Sequence, residues 1–216
     1  EDMSTKLPRL NVVLEQNKTI TLNPTGPVNG RHDMITSALE ARDYYGNFPV
    51  NAPNGSGYAI RLGETGTGRY ADRISYTFTV PANQNDYSII YNYAVVFYNP
   101  TDHADYEQPK FTAKVVDVAT NKDIDCVSFN FVSSSNLPGF TPSWSQDVYY
   151  KPWSPVSINL FGAAGKTVRL EFAVNGCGRQ PNGRHFGYAY IDVNENCTSP
   201  ITGNVYCDPS SLTLAA

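Results

Sequence analysis

Residues 184–192 constrain the fold more than any other part of the chain, because they have the pattern of a β-strand with one aromatic face. Phe186, Tyr188 and Tyr190 fall at alternate positions, so an extended backbone places them on one side. The residues between them are glycine and alanine, which leave the other side open for close packing. The pattern predicts the closing strand of a β-sandwich.

Composition favours an all-β fold. The chain has 15 Tyr, 10 Phe, 16 Gly and 15 Pro, with only 17% charged residues, so it is rich in strand and turn formers. At 216 residues it is long enough for one sandwich domain. Residues 37–44 are the one segment with a helical pattern. Apolar patterning predicts further strands at 58–62, 74–80, 87–98, 111–118, 126–132, 156–160 and 167–174.

The side-chain patterns of two of these segments predict where their strands lie in a sheet. Residues 87–98 are apolar on both faces, which indicates a central strand. Residues 74–80 alternate apolar with Ser and Thr side chains, so one face of that strand is expected to be wet. The fold class is therefore all-β: a β-sandwich or jelly roll with two antiparallel sheets.

The charge pattern limits the partners. The net charge is −4 and no run of Lys or Arg occurs, so we expect neither nucleic acid nor an anionic membrane as a partner. No apolar run approaches the about 20 residues that span a bilayer. Residues 1–3 lack the start of a signal peptide. We expect a soluble chain that is a mature form or an excised fragment, without direct membrane insertion.

Four cysteines are present. They contain no Cys-x-x-Cys pair and no His at zinc-finger spacing, so thiolate metal binding is not expected. Two disulfides suit an exported protein. Three pairings are possible, and we favour Cys126 with Cys177 and Cys197 with Cys207.

The sequence does not predict an active site. No Gly-x-Ser-x-Gly motif occurs and the three histidines are widely spaced, so no nucleophilic triad can be assigned. A glycan-active enzyme would need two carboxylates facing one cleft. Glu171 shares a strand face with Arg169 and is expected to be an exposed, ion-paired residue instead.

Loop residues are the candidate ligand-binding positions. Tyr44, Tyr45 and Trp144 lie in turn-rich, polar surroundings, and exposed rings there could stack on sugars. The alternative is that they belong to the core. His103 and Gln108 lie in an acidic loop between two strands; they could bind a polar ligand or calcium, or satisfy nearby backbone groups.

Asp192 is the candidate metal ligand. A lone carboxylate that ends an apolar strand needs a partner if it is buried. A structural calcium could be held by Asp192, backbone carbonyls and a second acid. An ion pair with Arg31 or Arg184 explains the residue equally well.

An ordered series of motifs runs through residues 28–197. The motifs are Arg31-His32, Tyr58 to Gly63, Arg73 to Tyr76, Tyr93 to Val96, His103 with Glu107 to Phe111, Cys126, Tyr150 to Trp153, Cys177 and His185 to Asp192. Together they resemble a jelly-roll domain of large surface proteins of Bacteroidota, found in gliding-motility adhesins and other cargo of type IX secretion. The closing strand is also similar to that of galactose-binding-like jelly rolls and carbohydrate-binding modules, in which structural calcium is frequent.

The resemblance implies a secreted or outer-membrane-attached setting and neighbouring domains in a longer chain. It divides the sequence into an extension or first strand (1–27), the sandwich (28–197) and a tail or the start of a following module (198–216). The function we expect is a non-catalytic adhesion or carbohydrate-binding module that takes a glycan or cell-surface ligand. The alternatives are a glycan-active jelly-roll enzyme and a structural spacer.

Overall fold

The regular secondary structure of the described residues is β-strand. The structure, a computed structural model, describes residues 30–35, 41–53, 57, 59–66, 71–99, 103–104, 107–124, 129–132, 138–177, 185–194, 204–205 and 214–215. The strands are β1 (His32–Ile35), β2 (Ala59–Glu64), β3 (Ala71–Thr79), β4 (Ser88–Tyr98), β5 (Lys110–Asp117), β6 (Lys122–Asp123), β7 (Phe129–Val132), β8 (Thr141–Pro142), β9 (Val148–Asn159), β10 (Thr167–Asn175), β11 (Gly187–Asn194), β12 (Asn204–Val205) and β13 (Leu214–Ala215).

The strands form two main antiparallel sheets. The first has the order β1-β2-β11-β4-β9-β8, and in the second β10 lies between β3 and β5, with β6 and β7 both paired to β5. The orders β2-β11-β4-β9 and β3-β10-β5-β7 are those of a jelly roll built from two Greek keys. β12 and β13 pair with each other. The expected fold class is confirmed, and β4 is central between β11 and β9, as its two apolar faces predicted.

The main core lies between the two sheets. Alternate residues of β4, β5, β10 and β11 point into this core, as expected for strands whose side chains alternate between two faces. Tyr91 packs edge-on against Phe172 with 4.9 Å between ring centroids, and Phe111 stacks on Phe172 at 6.4 Å. The fully buried large side chains are Tyr91, Phe97, Phe111, Phe172, Leu62, Ile158, Leu170, Ile191, Val80, Val95, Val96 and Val115.

The aromatic face of β11 points away from this core and is nevertheless buried. Tyr188 and Tyr190 are only 3% and 4% exposed. Residues 41–50 cover this outer face: Phe48 contacts Tyr190 edge-on at 5.7 Å, and Trp153 donates a hydrogen bond to the Pro49 carbonyl at 2.7 Å. The continuous aromatic face is confirmed, and it forms a second, smaller core.

Two local expectations were wrong. β9 begins at Val148, well before the strand predicted at 156–160. Its Pro152 and Pro155 hid the pattern. Pro152 lies where the register between β4 and β9 shifts, and in the described residues β8 pairs with only two residues of the strand's other edge, so both prolines are tolerated. Residues 41–44 are not helical; Arg42 forms a β-bridge with Pro49 instead.

Glu171 is buried, at 3% exposure, and not the exposed residue expected. The neighbouring strands supply cations on its face of the sheet: Arg73 at 3.4 Å and Lys114 at 3.7 Å join Arg169 at 2.5 Å. The opposite residue Ser75 is only 6% exposed, so that face of β3 is drier than its alternation predicted. The ion pairing was correctly expected, but the burial depends on which strands flank β10.

Within the described part of the chain, no helix is both long and apolar enough to cross a membrane.

Candidate functional site

A tight turn at residues 43–48 is the foundation of the candidate site. The Asp43 carboxylate accepts hydrogen bonds from the backbone N–H groups of Tyr45 at 3.0 Å and Gly46 at 2.7 Å. Its own N–H donates to the Phe48 carbonyl at 2.8 Å. Asn47 adopts a positive φ of 51°, which Asn tolerates better than most residues. This is the local hydrogen bonding that Asp favours in turns.

The same carboxylate fastens the turn to the sheet. Its second oxygen accepts hydrogen bonds from the hydroxyls of Tyr188 at 2.7 Å and Tyr190 at 3.0 Å. Asp43 is only 4% exposed. Burial raises the pKa of both tyrosines, and the negative charge of Asp43 raises it further. Asp43 therefore links the turn to β11.

Tyr44, Tyr45 and Trp144 come together in what we name the ring cluster. Tyr44 packs edge-on against both other rings with 5.0 Å between centroids, and Tyr45 lies nearly parallel to Trp144 at 6.0 Å. The Trp144 indole N–H donates to the Tyr44 carbonyl at 2.9 Å, and the Ser143 hydroxyl donates to the Tyr45 carbonyl at 2.8 Å. These bonds fix the rings relative to each other.

Two rings of the cluster stay open to solvent. Tyr44 is 69% exposed and Trp144 is 66% exposed, whereas Tyr45 is half-buried. Large exposed aromatic side chains that are held in place are typical of binding surfaces. The expected exposure of Tyr44 and Trp144 is found, although the sequence did not indicate that these two residues contact each other.

An open cleft of about 720 Å³ lies beside the ring cluster and shares Tyr44 and Tyr45 with it. Its lining mixes apolar side chains such as Met34 with the guanidinium groups of Arg42 and Arg61. The volume lies in the range of small-molecule sites, where a few polar groups orient a ligand on an apolar wall.

His103 and Gln108 do not belong to the ring cluster. Gln108 is buried and donates to the His103 carbonyl at 3.5 Å. Glu107 accepts a hydrogen bond from the Ala104 N–H at 3.1 Å. These contacts agree with the alternative in which the loop satisfies its own backbone groups.

The His103 ring instead meets His185 and Cys177. His103 Nε2 and His185 Nδ1 lie 3.1 Å apart, and one potential ligand atom from each of the three residues lies within 4.8 Å of the others. The Tyr98 ring stacks on His185 at 4.6 Å. Sequence spacing missed this group because its members lie in three separate segments.

Asp192 is half-buried and lies opposite Asn92 in the register of β11 and β4. Arg31 pairs with Asp72 at 2.6 Å, and Arg184 lies outside the described residues. Calcium takes six to eight oxygen ligands, and in the described residues Asp192 belongs to no close group of three His, Cys, Asp or Glu side chains. A site made of Asp192, one further acid and backbone carbonyls needs no such group, so calcium binding at Asp192 stays a prediction.

Three of the four cysteines, Cys126, Cys197 and Cys207, lie outside the described residues. The predicted disulfide pairing stays a prediction.

No protein-family model matches the sequence, and no curated protein matches it. Solved structures similar to the chain include two carbohydrate-binding modules and an adhesin domain. CBM27-1 of Caldicellulosiruptor saccharolyticus, in complex with mannohexaose, is 15% identical with a TM-score of 0.34, covering 74% of this chain and 87% of that one. TmCBM27, a carbohydrate-binding module that recognises mannan, is 17% identical with a TM-score of 0.31, covering 63% and 71%.

The third is the K3 cleaved adhesin domain of Lys-gingipain from Porphyromonas gingivalis, 12% identical with a TM-score of 0.34, covering 68% of this chain and 81% of that one. At these TM-scores the likenesses carry no argument about a ligand. The functional argument therefore depends on the chain's own geometry.

Proposed function

We propose that this chain is a non-catalytic carbohydrate-binding or adhesion module, displayed at the cell surface as part of a larger exported protein. The observation that carries the proposal is the ring cluster. Tyr44 and Trp144 are about two-thirds exposed, yet their rings pack against each other and the Trp144 indole N–H donates to the Tyr44 carbonyl.

The chemistry of the cluster fits a sugar. The C–H faces of a pyranose are apolar and pack on an aromatic ring, while its hydroxyl rim needs hydrogen-bond partners. Trp144 uses its indole N–H within the cluster, so its ring offers an apolar surface. Arg42 and Arg61 line the adjoining cleft, and their guanidinium N–H groups are donors of the kind that sugar hydroxyls need.

Preorganisation supports the proposal further. A ring that is ordered before binding loses little conformational entropy when the ligand arrives. Tyr44 and Tyr45 are ordered by the turn that Asp43 closes, and Trp144 is ordered by its bond to Tyr44. The fold therefore orders the ring cluster before a ligand binds.

The cleft does not favour the enzyme alternative. Among its described lining residues Asp43 is the one carboxylate, and four donors already occupy it. Glycoside hydrolysis by the usual mechanism needs two carboxyl groups about 5 to 10 Å apart. We expect polysaccharides incubated with the protein to release no reducing ends; a release that stops when Asp43 is replaced would contradict the proposal.

A glycan array followed by calorimetry tests binding. We expect Trp144→Ala and Tyr45→Ala to weaken binding of the best glycan by about 30-fold, because aromatic hot spots contribute about 2 kcal/mol or more. Wild-type affinity in both variants, or no glycan bound on the array, would refute this assignment and favour the structural spacer.

Phe161→Ala is the matched control. Phe161 is 63% exposed, like Trp144, but it follows the far end of β9. Trp144 precedes Val148, the first residue of β9, and the 12-residue strand between the two positions is about 36 Å long, from 11 steps of about 3.3 Å. Binding should be unchanged in this variant.

A further inference from the structure

A second cluster of side chains lies where β4 and β10 end and β11 begins. It contains His103, Cys177 and His185, whose potential ligand atoms lie within 4.8 Å of one another. The Cys177 side chain is completely buried, and both imidazoles are half-buried. Nothing in the proposed glycan site uses these three residues.

We propose that His103, Cys177 and His185 bind a zinc ion. Zinc takes imidazole nitrogen and thiolate sulfur in a tetrahedral arrangement, and three protein ligands leave its fourth position for water or an external ligand. Calcium and magnesium require oxygen ligands, which this cluster lacks. The donor set is borderline to soft, and this favours zinc over the hard cations.

The distances are close to those of a zinc site. With Zn–N near 2.05 Å and Zn–S near 2.3 Å, tetrahedral angles require about 3.4 Å between two nitrogens and about 3.6 Å between nitrogen and sulfur. His103 Nε2 and His185 Nδ1 are 3.1 Å apart. No pair of ligand atoms exceeds 4.8 Å, so the required movement is at most about 1.2 Å.

The surrounding structure holds the ligands in place. The Cys177 N–H donates to the His185 carbonyl at 2.9 Å, which joins the end of β10 to the start of β11. Tyr98 stacks on the His185 ring at 4.6 Å, and Gln108 donates to the His103 carbonyl. These contacts hold the three segments that carry the ligands close to one another.

Two other arrangements compete with zinc. The two imidazoles could share an ordinary hydrogen bond, with one tautomer donating. The predicted Cys126–Cys177 disulfide would use the sulfur that zinc needs as a thiolate. Zinc binding and that disulfide therefore exclude each other. Whether the Cys177 sulfur is a thiolate or is bridged distinguishes the two.

Cobalt titration of the full chain, free of any affinity tag and stripped with chelator, is the direct test. Co²⁺ replaces Zn²⁺ in such sites and is coloured. We expect one Co²⁺ per chain, with a thiolate-to-cobalt charge-transfer band and the intense visible bands of tetrahedral cobalt. Added Zn²⁺ should displace the Co²⁺ and bleach both. Weak octahedral bands without a charge-transfer band would overturn the proposal. The wild-type spectrum alone decides between these outcomes.

Variants and thiol chemistry complete the test. His103→Gln and Cys177→Ser should each weaken zinc binding by more than about 100-fold, since loss of an outer-shell partner alone costs about 10–100-fold. His32→Gln changes the remaining histidine of the chain and should leave zinc affinity within about twofold.

Zinc should also slow alkylation of Cys177 in the folded protein. Unchanged affinity in Cys177→Ser overturns the proposal. So does a Cys177 that is alkylated in the unfolded wild-type chain only after a disulfide reductant is added, because the sulfur is then bridged.

Discussion

Replacing Asp43 with alanine tests whether one buried carboxylate fastens the ring-bearing turn to the sheet. Asp43 is 4% exposed and accepts hydrogen bonds from two tyrosine hydroxyls and two backbone N–H groups. Its removal takes the acceptor from the buried hydroxyls of Tyr188 and Tyr190. The turn then loses its attachment to β11.

The magnitude follows from the donors. A hydrogen bond to a charged group contributes about 1.5–3 kcal/mol, so loss of the two hydroxyl bonds alone should lower the free energy of unfolding by about 3–6 kcal/mol. The bonds from the Tyr45 and Gly46 N–H groups are not counted in this figure, so it is a lower bound. A change of this size is a large share of the about 5–15 kcal/mol typical of a folded domain.

Urea unfolding followed by tryptophan fluorescence measures the effect, since Trp144 and Trp153 both contact the 43–50 segment. Asp33→Ala is the control: Asp33 pairs with Arg61 near the same cleft, but both side chains are partly exposed, and such pairs contribute about 0–1 kcal/mol.

Tyr188→Phe completes a double-mutant cycle with Asp43→Ala. We expect the two losses to be less than additive, because both variants remove the same bond. The reasoning is refuted if Asp43→Ala costs no more than Asp33→Ala, or if the cycle is additive.

Three further predictions follow from single positions. Gly63 has a φ of +85°, and an added Cβ would lie 2.5 Å from the Gly187 carbonyl oxygen. Gly63→Ala should therefore lower the melting temperature far more than the control Gly162→Ala. Gly162 has a similar φ but open space around it, so an alanine there costs only the about 1–2 kcal/mol of a left-handed backbone. Equal melting temperatures would contradict this. Burial raises the pKa of Tyr93 to about 12, above the value near 10 in the unfolded chain, so its contribution to stability is fully present below pH 10 and is lost as the pH rises toward 12. Because the pKa values of Tyr188 and Tyr190 are raised as well, the free energy of unfolding in urea should fall across this window by up to about 2.7 kcal/mol more in the wild type than in Tyr93→Phe; an equal fall in both would contradict this. Thermal melting with and without a chelator tests calcium binding at Asp192. Calcium at 100 times its dissociation constant would raise the free energy of unfolding by about 2.7 kcal/mol. An unchanged melting midpoint, or an equal shift in Asp192→Asn, would exclude Asp192 as a ligand.

Much of the strand pattern could be predicted from the sequence. The alternation in residues 74–80 and the doubly apolar run in 87–98 correspond to β3 and β4, because strand periodicity is a local property of the chain. β9 was predicted too short because Pro152 and Pro155 interrupt its pattern, and proline is tolerated in a strand only at an edge or a bulge, which depend on how the strand is paired.

The candidate sites could be predicted only in part. Turn-rich surroundings indicated that Tyr44 and Trp144 are exposed, but their contact joins turns that lie about 100 residues apart in the chain. Asp43 was missed, although an Asp that opens a turn with Gly and Asn behind it is a usable signal. Glu171 was expected at the surface because its three cations lie on β3, β5 and β10, and only the strand order brings them together.

The sequence by itself determined that this chain is an all-β sandwich and that the closing strand has one aromatic face. Those properties depend on side-chain alternation within single strands. The tertiary structure decided what that face and the loops contact: Asp43 against Tyr188 and Tyr190, and His103 beside Cys177 and His185. The physical reason is that a jelly roll pairs strands distant in sequence, so the neighbours of a loop residue are set by strand order and not by the residues next to it in the chain.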